Sequence, residues 1–324
     1  MLALLLMVSA VAHAQDPRAP LVDRLTEVHN LTPEQAAAVS KILGGSNLMG
    51  DGLPGITVHV MTTAQCTERR KAAGAVDRDP TFEAICKRPY MAPLYDPASQ
   101  KPTDATACID QYEFPDIPCD YPWVWVKAAE AAQLCSAMGK RLCDAHEWEG
   151  GCEGRLTAPD YRFDLARGQS ESPAVRAMRS AHNAVHGKAK THAYGGADYR
   201  SGVCAAASFK SERCDGGDPK RCGSNTYPTG AFPDCVSPLG VYDQHGNAAE
   251  HMNLPLAPDQ MSSQGSQKLG VTEMKGSWFI FDTYKAHEDW CRWRAPYWHG
   301  TPVMSSHSHA NYHLGFRCCA DVPQ

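Results

Sequence analysis

The chain has 324 residues, 43% of them hydrophobic, and a formal net charge of −5; this suffices for a real core in one large irregular domain plus an extension. No run of Lys or Arg occurs, which argues against nucleic acid and an anionic membrane surface as main partners. Fourteen cysteines, at 66, 86, 108, 119, 135, 143, 152, 204, 214, 222, 235, 291, 318 and 319, are spread along the chain in an even number. That pattern points to a disulfide framework in an oxidising compartment, since zinc favours close Cys-x2-Cys or Cys/His pairs.

Residues 1–14 form an apolar run ending in Ala12-His13-Ala14. They read as a signal peptide with cleavage before Gln15, too short to span a bilayer, and imply a periplasmic or extracellular protein. Residues 15–103 read as an N-terminal extension. Leu21 to Val28 is weakly helical, and Thr32-Pro33-Glu34-Gln35 starts a helix that runs to Leu43 and stops at Gly44-Gly45. Ile56 to Met61 alternates like a strand. Cys66 and Cys86 bracket a polar loop that they could close, and Pro89 to Pro102 reads as a surface linker.

Residues 104–324 form the main domain. Ala107 to Phe114 alternates like an opening strand, and Val126 to Met138 is an amphipathic helix ending at Gly139 in a left-handed cap. Asp144 is placed as an N-cap with Glu147 three residues on, a capping box that starts a short helix and turns Trp148 inward. Glu147 and Glu149 read as cap and solvated face. The stretch 153–240 carries many Gly, Pro, Cys and Asp with little periodicity, so Cys204, Cys214, Cys222 and Cys235 are expected to staple long loops.

In Leu239 to His251, a carboxylate (Asp243), a Gly three residues on and a second carboxylate (Glu250) can gather oxygens around a hard cation. A strand over Met274 to Phe279 follows, then Cys291-Arg292-Trp293-Arg294 and His313 to Cys319. His307, His309 and His313 lie close together and could bind a transition metal. His182 and His186 form a His-x3-His pair with no third ligand in sight.

These motifs, in this order, resemble the sulfatase-modifying-factor family, whose namesake is the formylglycine-generating enzyme. They are Ile109-Asp110 with Tyr112-Glu113, Gly139 to Glu149, Gly240 to Glu250, Gly276-Ser277-Trp278, Arg292 with Arg294, and Gly315-Phe316-Arg317. The resemblance covers about 104–324 and implies an α+β, variant C-type-lectin-like fold, loop-rich and stabilised by calcium. It places calcium on the side chains of Asp243 and Glu250 and the carbonyls of Gly246 and Ala248, with a second calcium site starting near Asn183. Where the family has tryptophans beside the ion, this chain has Ala249 and His251. On this reading Glu250→Gln lowers thermal stability in calcium and changes little in chelator.

The enzyme resembled here oxidises a substrate cysteine with O2 at copper(I) held by two cysteines five residues apart; soft thiolates suit that ion. The matching positions fall on Ile280 and Lys285 counted forward from Gly276. Counted back from Arg292, the second falls on Trp290, one residue from Cys291. Cys291 is therefore the candidate catalytic residue, or else it is disulfide-bonded. Three functions stay open. One is an O2-dependent oxidoreductase of the formylglycine-generating type. Another is a non-catalytic, calcium-stabilised module binding a peptide or glycan over Ser277, Trp278, Arg292, Trp293 and Arg294. The third is an iron or copper oxidoreductase using the histidines at 307–313.

Overall fold

The computed structural model describes residues 19–216, 219–285, 287–295 and 299–323; the expected signal peptide at 1–14 lies outside the described residues. Helix α1 (Ala19–His29) buries Leu21 and Leu25, four residues apart and hence on one face. Thr32 and Gln35 close a capping box that starts α2 (Pro33–Gly45), as the sequence predicts. Both helices pack with α5 (Ala128–Ala137) into one core that includes Leu25, Leu43, Leu134 and Phe316.

The strand expected over 56–61 does not form. Val58 and Val60 are more than half exposed, so the alternating pattern has no sheet to lie on, and Thr62 instead caps α3 (Thr63–Ala72). Cys66 and Cys86 do not bond to each other either. Cys66 joins Cys119 and Cys86 joins Cys108, because Cys66 sits on α3 and Cys86 ends a separate helix, α4 (Pro80–Cys86), and each packs into a different cluster. The expected linker contributes a fully buried strand, β1 (Met91–Leu94), paired antiparallel with β2 (Ala107–Asp110). Strand pairing and two disulfides thus cross the sequence boundary at 104.

Two small sheets form the centre. One has the order β1-β2-β7-β3, where β3 is Arg141–Leu142 and β7 is Cys318–Asp321. The other has the order β5-β4-β6, with β4 at Ala249–Leu254, β5 at Val271–Lys275 and β6 at Leu314–Phe316. Strands β6 and β7 are separated by Arg317 alone, so the chain passes from one sheet to the other at that residue. Successive side chains of a strand point to opposite faces; accordingly Cys318 bonds Cys135 of α5 while Cys319 bonds Cys143. Cys204–Cys235 and Cys214–Cys222 are the expected loop staples.

Helix α6 (Ala145–Glu153) starts from Asp144 with the predicted capping box and buries Trp148 completely. Gly139 adopts φ +69°, ending α5 as expected. The region 153–240, read as loop, also holds α7 (Phe163–Ala166) and a sixteen-residue helix, α8 (Glu171–His186). Its signal was the spacing of Val175, Met178, Arg179 and His182, which are buried along one face. The Arg292-Trp293-Arg294 segment is irregular.

Candidate functional site

Helix α6 carries Glu149 into the interior, not to a solvated face. Its carboxylate receives Lys275 from the end of β5 at 3.0 Å and the Arg294 guanidinium at 3.0 Å, all three side chains fully buried or nearly so. Burial alone would raise the Glu149 pKa, but Arg294 and Lys275 outweigh it and hold the carboxyl well below the usual range. Arg292 bonds Glu153 at 2.8 Å, and Arg294 reaches Asp160 at 3.3 Å. Both arginines expected to receive a ligand are thus committed to internal carboxylates. Ser277 is buried as well, its hydroxyl accepting the Gly246 N–H at 2.8 Å.

The expected calcium loop is built around an arginine. Glu250 accepts from Arg317 Nη2 at 2.6 Å and Nε at 2.7 Å, and from Trp148 Nε1 at 2.7 Å, so both its oxygens are taken. Arg317 also donates to the carbonyls of Asp110 and Tyr242. Asp243 accepts the Gly230 N–H, and the Ala248 N–H donates to Glu113. Gly246, at φ +72°, lies so close to the chain that a Cβ would sit 2.5 Å from the Ala205 carbonyl oxygen. Burial raises Asp243 to about 6 and Glu113 well above the ordinary value. A buried guanidinium fills the place of a cation here, so these residues do not fit calcium. Asn183 does not fit one either: its amide clamps the backbone N–H and C=O of Arg294.

Cys291 is bonded to Cys152 of α6, both sulfurs being fully buried, and none of the cysteines is free. The sequence did not suggest Cys152 as its partner, 139 residues away. His245 stands beside this bond with Nε2 at 3.5 Å from Cys152 Sγ and 3.7 Å from Cys291 Sγ. Its Nδ1 faces Asp289 Oδ1 at 2.8 Å, and its Nε2 accepts the Ala193 N–H at 2.9 Å. Asp289 therefore holds the Nδ1 proton, and the Nε2 lone pair beside the sulfurs takes the Ala193 N–H.

Asp289 also lines a cleft of about 490 Å³, together with Tyr199, Phe281, Trp290 and Trp293 and with Lys190, Lys285, Glu288 and His192. Lys190 pairs with Glu288 at 2.9 Å and stands 5.7 Å above the Trp290 ring. Of the residues expected to form a groove, Trp293 alone reaches this cleft. Trp278 is in the core, stacked on His313 with ring centroids 3.9 Å apart.

Of the three histidines expected to hold a transition metal, His307 and His309 are exposed and His313 is buried, and the His309 ring stands 5.6 Å from that of His299. Among the described residues, groups of three metal-type ligand atoms occur at Cys152, His245 and Cys291 and at Asp160, His182 and His186. Several other histidines are buried neutral. Burial depresses His251 to about 4, His287 to about 4 and His29 to about 3. Unfolding restores an ordinary value near 6.5, so stability is complete above that pH and is lost as pH falls toward 4. Each such histidine should remove about 1.4 kcal/mol per pH unit in that window. Urea unfolding at pH 7 and pH 5 checks this; equal midpoints would contradict it.

Neither a protein-family model nor a curated protein matches the chain. No described helix is long and apolar enough to cross a membrane.

Proposed function

We propose that the chain is an exported protein of the sulfatase-modifying-factor type, on a variant C-type-lectin-like fold, that works as a peptide-binding module. The observation that carries this is an open aromatic cleft on a chain whose Cys152–Cys291 bond is closed and buried. Trp290, Trp293, Tyr199 and Phe281 offer stacking faces, while Lys190, Lys285 and Glu288 offer charge of both signs, a lining suited to a mixed-sequence peptide. The ordered landmarks from Ile109 to Arg317 and the loop-rich α+β architecture support the family reading. Seven disulfides accord with an exported protein.

A second reading has one observation in its favour. The Cys152 and Cys291 sulfurs and His245 Nε2 lie within 4.8 Å of one another, so reduction of the bond would set two thiolates beside an imidazole. That donor set suits copper(I), the ion that supplies O2 chemistry in the formylglycine-generating enzyme. Asp289 would orient His245 there.

Alkylation and peptide mapping of the non-reduced protein, joined to a displayed-peptide screen, separates the two. The binding module predicts an intact Cys152–Cys291 peptide and a bound peptide class whose affinity falls about tenfold or more in Trp293→Ala. Alkylated Cys152 and Cys291, with oxidation of a cysteine-containing peptide, would favour the enzyme. Peptide binding indifferent to both Trp293→Ala and Tyr199→Ala would remove the cleft from the account.

A further inference from the structure

Helix α8 presents His182 and His186 four residues apart on one face, and the loop before α7 brings Asp160 against them. We infer that Asp160, His182 and His186 bind one first-row divalent transition-metal ion of the zinc type. The donor atoms all lie within 4.8 Å of one another. Asp160 Oδ2 is 2.6 Å from His186 Nε2 and 3.1 Å from His182 Nδ1. A tetrahedral ion with bonds near 2.0 Å separates its ligands by about 3.3 Å, so the three need spread only slightly to admit one.

His182 supplies the independent observation. Its Nε2 lies 2.8 Å from the Arg292 carbonyl, which can only accept, so Nε2 carries the proton. The side chain is 2% exposed, yet Nδ1 has no hydrogen-bond partner and faces the Asp160 carboxylate. The Nδ1 lone pair then faces a lone pair of the Asp160 carboxylate at 3.1 Å. A cation between them removes that conflict. Proton placement by the backbone carbonyl is the usual device that aims the other ring nitrogen at a metal.

The surroundings select the kind of ion. Arg294 holds Asp160 Oδ1 at 3.3 Å, leaving Oδ2 for the imidazoles. One carboxylate and two neutral nitrogens, with Arg292 and Arg294 close by, suit a borderline ion and oppose a hard cation that wants six or more oxygens. Asp160 and His186 side chains are 34% and 24% exposed, so the outer side of the site is open to water or a ligand. Binding there does not depend on what the aromatic cleft holds.

The test uses the full oxidised chain. Cobalt(II) is titrated and followed by visible absorption, and zinc is then added in competition. One equivalent of cobalt with a ligand-field band, displaced by zinc, is expected. His186→Ala on the half-exposed helix face and Asp160→Asn, nearly isosteric, should each weaken binding by at least about tenfold. His307→Ala, in a remote exposed loop, should leave it unchanged. No stoichiometric uptake by the wild type, wild-type affinity in both site variants, or loss of binding in His307→Ala would each overturn the assignment.

Discussion

Arg317→Met should lower the unfolding free energy by about 3–5 kcal/mol, measured by urea titration of the oxidised protein. The side chain is fully buried at the one residue between β6 and β7, where the chain changes sheets. Its guanidinium neutralises Glu250 and lies near Glu113 and Asp243, both already raised by burial. Removing it leaves three buried carboxylates to protonate or stay unpaired. Adding Glu250→Gln to the variant should recover part of the loss, since one of the orphaned charges disappears. Glu250→Gln alone should destabilise equally in calcium and in chelator, because its partner is Arg317. This reverses the outcome expected from the loop's carboxylate spacing. A calcium-dependent loss would restore the ion reading and unseat the arginine.

The vicinal cysteines give the second large effect. Cys135–Cys318 and Cys143–Cys319 span 183 and 176 residues of sequence, but they shut nearly the same loop. With one intact, the other closes only a small ring through 135–143, so replacing either pair by alanines should cost about 2–3 kcal/mol. With both gone, Cys152–Cys291 is the remaining bond that spans most of this stretch, and the released loop runs through 143–152 and 291–319. The combined loss should be about 6 kcal/mol, more than the two single losses together. Denaturant unfolding of the two single-bridge variants and the combined one checks this. Single losses as large as the combined loss would show that packing around each sulfur, not loop closure, sets the effect.

Local signals determined much of the helical framework. The capping boxes at Thr32 and Asp144, the stop at Gly139 and the inward turn of Trp148 depend on residues three or four apart, and a sequence displays those directly. Cysteine number and spread likewise announced a disulfide framework. Alternation without a partner misled at 56–61, because a strand exists only where another strand accepts its hydrogen bonds. The Pro-rich stretch at 89–102 misled in the opposite direction: β1 is specified by its pairing with β2, not by its own composition.

Tertiary structure alone decided the chemistry. Cys152 meets Cys291, Arg317 meets Glu250 and Asp160 meets His182 across separations no periodicity records. Asp243 and Glu250 have the spacing of an ion loop, yet the guanidinium from the end of the chain reaches them first. A motif supplies donor atoms; which partner they take depends on the charges that folding carries into the same low-dielectric space, where an unpaired group is too costly to leave.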